Sequence, residues 1–304
     1  MRCAVIDLGT NTFHLLIAEH HTGQAWQTIL KQRRYIKLAE DGIHRIGPAA
    51  FARGLEALRG YKQELDAAGV PPDRVRAMGT AALRTASNAA DFIEQVRQET
   101  GIRTEVISGD REAELIYKGV RQAVPFPEQG RMLIMDIGGG SVEFILADQE
   151  QVFWQKSFPI GVAVLHRHFQ HSDPIAPEEV AAESRFLEEI LAELWQALER
   201  WPARALIGAS GTFDVIDNFL LDPATKPLLY GQTSRAAFEP LCEKFIYSTL
   251  AERRAMPLLA PERVELIVVA VVLIRVVLEK AGLNDIYTSA YAMKEGLLEE
   301  LGSS

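Results

Sequence analysis

The chain has 304 residues, 48% hydrophobic and 24% charged, which suits one large or two ordinary soluble domains with a real core. Its net charge of −9 argues against a general nucleic-acid binder, and the acid is uneven: residues 1–130 net +1 and the remainder −10. The most apolar stretch, Leu266–Leu278, carries Arg275 and is too short to span a bilayer. No secretory leader precedes the first strand, and Cys3 and Cys242 lack metal spacing. These features set the expectation of a cytoplasmic protein with reduced core thiols and no membrane partner.

In chain order, the first thirty residues read as strand, tight turn and strand, with turn chemistry at His20–Gln24 and a further strand over Ala25–Leu38. Helical patterning covers Pro48–Ala68, and Arg74–Thr80 is a short strand. Ala86–Gly101 reads as a helix with Ser87 as N-cap, apolar Phe92, Ile93 and Val96, and a closing glycine. A strand at Thr104–Ser108 and a helix at Asp110–Val124 follow, then a Pro/Gly-rich connector, Pro125–Arg131, taken as the domain boundary. The second half repeats the grammar with strands at Leu133–Ile137, Val142–Ala147 and Gln151–Gly161. One long amphipathic helix is expected over Pro177–Trp201. Arg204–Leu220 is strand, glycine turn and helix; Leu266–Leu278 is a buried helix or strand pair; Asp285–Leu301 is a strand and a closing helix.

Two stretches share one plan. "AVIDLGTNTFHLLIA" (Ala4–Ala18) and "LIMDIGGGSVEFIL" (Leu133–Leu146) each run apolar strand, aspartate, glycine with small polar residues, apolar strand. Glycine turns after strands present N–H groups to anions, because glycine permits close approach and positive φ. Thr10, Asn11, Thr12 and Ser141 add side-chain donors. Either segment alone reads equally as a plain hairpin; the matched pair, in two α/β halves, points to a ligand cleft between them. Asp136 and Glu143 meet if the turn folds the strand back, and paired carboxylates suit a hard divalent cation, with Asp7 joining from the facing half. A third turn, Gly208–Thr212, places Gly208, Ser210, Gly211 and Thr212 where they cradle a phosphate or nucleotide, or form a tight connection. Arg84 follows a strand end and is either a phosphate fork or a solvated side chain. Asp110, Glu112 and Glu114 open a helix, either as favourable charges at its N-terminus or as a group that polarises water. Lys31, Arg33, Arg34 and Lys37 make the one dense basic patch, a guide for a polyanion or an exposed strand face.

Taken together, "AVIDLGTNTFHLLI", "GTAALRTASNAADFI", "VISGDREAELIYKG", "LIMDIGGGSVEFIL" and "LIGASGTFDVI" resemble the successive motifs of the exopolyphosphatase/guanosine pentaphosphate phosphohydrolase (Ppx/GppA) family, over nearly the whole chain. The resemblance implies an α/β, actin-like fold with two ribonuclease-H-like domains and an active-site cleft between them. Domain I would be residues 1–124, joined by a closing helix at about 290–304, and domain II residues 125–304. It implies hydrolysis of the terminal phosphoanhydride of inorganic polyphosphate or pppGpp with Mg²⁺ or Mn²⁺. Glu112 matches the catalytic glutamate of the "SGxxEA" pattern. Asp136 and Glu143 match the metal acids, with Asp7 a further ligand. Thr10, Asn11, Arg84 and Gly138, Gly139, Gly140 and Ser141 match phosphate contacts.

The chain departs from the family pattern in several places. The sequence reaches Gly302 without the C-terminal helical domain through which long members dimerise and channel long polyphosphate, so the expectation is a form without that domain; a homodimer stays open. Leu266–Ile274 lacks a usual glycine, Lys294 stands where arginine is usual, and Asp110 and Arg111 replace more acidic or polar residues. Two other readings stay open: an ATP-dependent small-molecule kinase of the same fold, and a non-catalytic polyphosphate or pppGpp sensor.

Overall fold

In the computed structural model the described residues are 1–304 except 22, 24, 225–228 and 304. The turn expected at His20–Gln24 therefore lies partly outside them. The chain opens with an antiparallel meander of β1 (Arg2–Leu8), β2 (Thr12–Glu19) and β3 (Gln27–Tyr35). α1 (Pro48–Ala67), β4 (Val75–Gly79), α2 (Ala81–Thr85), α3 (Ala89–Thr100), β5 (Thr104–Val106) and α4 (Gly109–Ala123) follow. β4 and β5 extend the sheet in parallel, giving the order β3-β2-β1-β4-β5.

The second half starts the same way, with a meander of β6 (Arg131–Ile137), β7 (Val142–Ala147) and β8 (Val152–Phe158). Next come α5 (Val162–Phe169), α6 (Pro177–Ile190), α7 (Ala192–Arg200), β9 (Ala203–Ala209), α8 (Gly211–Leu220), β10 (Tyr230–Ser234) and α9 (Arg235–Tyr247). The chain finishes with α10 (Leu250–Arg254), α11 (Ile267–Lys280), β11 (Asp285–Ser289) and α12 (Met293–Ser303). The sheet order is β10-β11-β9-β6-β7-β8, with β9 parallel to β6 and β11 parallel to β9. This twice-used pattern of meander plus parallel extension is the actin-like α/β architecture.

Apart from Arg2 and Asp7 in β1 and Arg131 and Asp136 in β6, these two central strands are apolar, because both faces are covered. In β1, Ala4, Ile6 and Leu8 face a core shared with α1 and α3, while Cys3 and Val5 face the opposite side. In β6, Leu133, Met135 and Ile137 face the core under α11 and α9, while Met132 and Ile134 face back toward α4 and α12. Those two helices therefore lie between the sheets, in a core that draws on both. Their backbones touch: a Cβ on Gly119 would lie 2.0 Å from the carbonyl oxygen of Ala292, and one on Gly296 1.9 Å from that of Leu115. Arg111, Lys118 and Arg121 of α4 pair with Glu299 and Glu300 of α12 along the same contact.

The expected elements form with two differences, while α2, α5, β10, α9 and α10 had no expectation from the sequence. The single helix expected over Pro177–Trp201 is two, broken at buried Leu191 (φ −89°, ψ 16°). α6 packs on α11 and α5 whereas α7 packs on β7, and one straight rod cannot follow both surfaces. The cap of α3 is Asn88 rather than Ser87, and its amide bridges the backbone of Ile46 instead of capping. The Leu266–Leu278 stretch is a helix, α11, and both cysteines are free and buried. Among the described residues no helix is long and apolar enough to cross a membrane.

Candidate active site

Each meander places its first turn at the same end of its sheet. The antiparallel register sets Asp136 opposite Glu143 across β6 and β7, and Asp7 opposite His14 across β1 and β2. The two turns abut. A Cβ on Gly139 would sit 2.7 Å from Asn11 Nδ2, and one on Gly140 2.8 Å from Thr10 Oγ1. None of the glycines in these turns has positive φ, so they serve close approach rather than an unusual backbone. The carbonyls of Gly138 and Gly139 accept the N–H groups of Val162 and Ala163 at the start of α5, at 3.0 and 2.9 Å. Because trans peptides are planar, the N–H groups of Gly139 and Gly140 point the other way, away from the start of α5.

The cleft between the sheets holds a cavity of about 740 Å³. Every residue expected at the site lines it except Arg84, Gly208 and Thr212. Arg84 stands just behind: its Nη1 donates to Glu112 Oε2 at 2.8 Å and to the carbonyl of Ile107 at 2.9 Å. Thr212 is buried, and Gly208 makes room for the Phe213 ring. Ser210 and Gly211 do reach the cleft. Ser210 is held at φ 70°, a strained value for a residue with a side chain, and its hydroxyl donates to Asp136. Thr10 is 3% exposed, and its hydroxyl has no hydrogen-bond partner among the described residues.

Electrostatics distinguish this cleft from an ordinary groove. Seven carboxylates against four cationic side chains leave an excess of three negative charges when all are ionised. Burial raises Asp7 to about 6, with Lys294 opposing and Asp136 adding. Burial and the charge of Asp136 raise Glu143 to about 7, against the hydrogen bond from Ser157 Oγ at 2.6 Å. Asp136 is also raised by burial. Glu112 is raised well above its ordinary value by burial and by Glu143, with Arg84 pulling the other way. Among the described residues no group of three His, Cys, Asp or Glu forms a closed metal cage. The donor set nonetheless fits a hard cation of the Mg²⁺ kind, which takes one or two carboxylates and completes its shell with water and phosphate.

Three cleft residues have no forecast from the motifs as site groups. His14 mirrors Glu143 in the repeat and is held neutral, its pKa driven down by burial and by Lys294; aligning the two openings would have found it. Arg263 lies against Gly211 and beside Asp214, ahead of α11, where no local pattern marks it. Lys294 is buried among Asp7, Asp136, Asp214 and Glu295. Arg33 and Lys31 of the basic patch line the cleft, whereas Arg34 lies over the Tyr61 ring outside it.

Two abutting turns, buried carboxylates and an arginine-held glutamate thus meet in one cleft of an actin-like fold. The sequence profile of the Ppx/GppA phosphatase family matches residues 16–303, and the chain belongs to that family. The first turn, with Asp7, Thr10 and Asn11, precedes the matched span. The chain is 30% identical, over 97% of its length, to a guanosine-5'-triphosphate,3'-diphosphate pyrophosphatase of Aeromonas hydrophila, and 35% identical over 72% to one of Vibrio cholerae. It covers 58% and 43% of those proteins. A crystal structure of an exopolyphosphatase from Cytophaga hutchinsonii is 37% identical and superposes with a TM-score of 0.94, covering 99% of this chain and 97% of that one. The Ppx/GppA family member of Aquifex aeolicus is 26% identical with a TM-score of 0.82, over 100% and 99%.

Proposed function

We propose that this chain hydrolyses the terminal phosphoanhydride of inorganic polyphosphate or of guanosine 5'-triphosphate 3'-diphosphate (pppGpp). The observation that carries the reading is the placement of Glu112. Its buried carboxylate lines the same cleft as the two abutting turns and is fixed by Arg84 at 2.8 Å. Relatives named for each of the two substrates support the substrate class.

In this reading the terminal phosphate sits between the N–H groups of Gly139 and Gly140 and the Thr10 hydroxyl, which gains in the complex the partner it lacks alone. Glu112 orients the attacking water and takes its proton, and a raised proton affinity makes its ionised form a stronger base. Arg84 holds the carboxylate in one orientation. Ser210 and Gly211, with Arg263 beside them, take a further phosphate at the N-terminus of α8. Asp136 and Glu143, with Asp7, would hold a Mg²⁺ or Mn²⁺ ion, which supplies charge neutralisation on the phosphate oxygens. Lys294 keeps Asp7 and Asp136 from facing one another uncompensated.

The division into 1–124 with α12 and 125–304 is part of the proposal; it is supported by the packing of α12 on α4 and β1. Cytoplasmic localisation is likewise proposed, on the reduced thiols and the substrate class. A kinase would need an adenosine pocket at Gly208–Thr212, and the Arg263 guanidinium fills the space beside Gly211. The test is phosphate release by the purified chain from polyphosphate, pppGpp and ATP, with and without a divalent cation. Release from the first two that stops with chelator supports the reading. ADP formation dependent on an added acceptor would replace it with the kinase, and binding without turnover with the sensor.

A further inference from the structure

Among the described residues two non-glycines have positive φ: Ser210, which lines the cleft, and Lys37, at 53°, two residues beyond β3. A lysine in the left-handed region persists only where its surroundings over-determine it, and such residues gather at ligand clamps and switches. Here the N–H groups of Ile36 and Lys37 both donate to the carbonyl of Asn11, at 2.8 and 3.0 Å, and that of Leu38 to Thr10 at 2.7 Å. The chain leaving β3 is thus wrapped onto the first turn, and the left-handed step sends Lys37 Nζ to Glu265 at 2.9 Å. Arg33, on β3, reaches Glu262 at 3.1 Å, and that pair lines the cleft. Two cations, Arg33 on β3 and Lys37 just beyond it, are therefore held by two acids from the segment ahead of α11.

We propose that Glu262 and Glu265 are built-in competitors of the substrate. They occupy Arg33 and Lys37 until the phosphates distal to the scissile bond displace them. The proposal rests on the phosphoanhydride reading of the cleft. The pairs suit exchange, since Arg33 is 56% exposed, Lys37 36% and Glu265 44%, with Glu262 the most covered at 22%. Exposed carboxylate pairs are weak, and a phosphate brings more charge and more acceptor oxygens than a carboxylate. The backbone that carries the acids is fixed: Arg253, 1% exposed, donates Nε–H to the carbonyl of Val264 at 2.9 Å and also binds that of Ser248. Only side chains need move. The arrangement selects polyanions long enough to offer phosphates to both the turns and the Arg33 and Lys37 cations.

The test is calorimetric titration of the full chain and of Glu262→Gln/Glu265→Gln with pyrophosphate and with long polyphosphate at several salt concentrations. The double variant should bind long polyphosphate about three- to tenfold tighter, as expected for two exposed pairs, with a steeper salt dependence and no gain for pyrophosphate. In an Arg33→Gln/Lys37→Gln background the acid substitutions should give no gain. Unchanged or weaker binding in the double variant, an equal gain for pyrophosphate, or a gain that survives loss of both cations would overturn the competition. Binding needs no turnover, so a chain that binds polyphosphate with this pattern yet releases no phosphate counts against the hydrolase reading alone.

Discussion

Thr10 concentrates the conflict between stability and binding at a single hydroxyl. A buried hydroxyl with no partner costs free energy in the free protein, and a phosphate would repay it. Thr10→Val should therefore leave the chain as stable or about 1 kcal/mol more so, while weakening phosphate-ligand binding about three- to tenfold. Thermal melts and titration of the same samples check both signs. Glu183 poses the conflict without a ligand. It is fully buried on α6, and neither carboxylate oxygen has a hydrogen-bond partner among the described residues. Burial raises it well above 4.5, with Arg275 opposing. The folded state then binds the proton more tightly than the unfolded state, so stability is full below 4.5 and declines as pH rises toward the raised folded value. Glu183→Leu should flatten that decline and add about 1–2 kcal/mol at pH 8. A pH series of melting temperatures with unchanged slope in the variant would contradict it. At this scale the sequence was legible where repetition made it so. The spacing of Asp136 and Glu143 predicts their meeting, and the same spacing places His14 opposite Asp7. The Arg84–Glu112 bond joins two motifs through tertiary packing, and Arg263 is brought in by a loop, so neither had a local signal.

At the scale of elements, the glycine contact between α4 and α12 carries the most weight. Gly119 has no room for a methyl group against the Ala292 carbonyl, so Gly119→Ala should separate the helices and cost about 2–3 kcal/mol. Chemical denaturation checks it; a loss below 0.5 kcal/mol, the ordinary size of a surface change, would contradict it. Periodicity and turn chemistry marked β1–β9, β11, α1, α3 and α4 well, because each obeys one pattern along its length, but gave no sign of β10. The break at Leu191 was not legible, since the amphipathic pattern runs on through it and only the change of partner from α11 to β7 bends the chain. The helix α11 was ambiguous for the opposite reason: Ile267–Ile274 is an unbroken apolar run, buried at every position, with no polar face to read.

Across the whole molecule, the repeat of one meander-plus-parallel plan was visible in the two glycine turns. The core shared between the sheets was not, because it joins strands and helices distant in sequence. That shared core brings the carboxylates of both halves to one cleft with more negative than positive charge. A divalent cation should accordingly bind the free protein and raise its melting temperature, an effect that Asp136→Asn should diminish. Metal affinity should fall as pH drops below about 7 and then about 6, as Glu143 and Asp7 take up protons. Melting temperature with Mg²⁺ titrated at pH 8, 7 and 6 reads both effects, and a pH-independent shift would contradict them. The central claim, that Glu112 activates water in this cleft, is met most directly by one comparison. Phosphate release from polyphosphate is measured for the chain and for Glu112→Gln, with binding of the same substrate measured alongside. Release should fall about 10²–10⁴-fold in the variant, with binding within about threefold. Release at the original rate in the variant would contradict it.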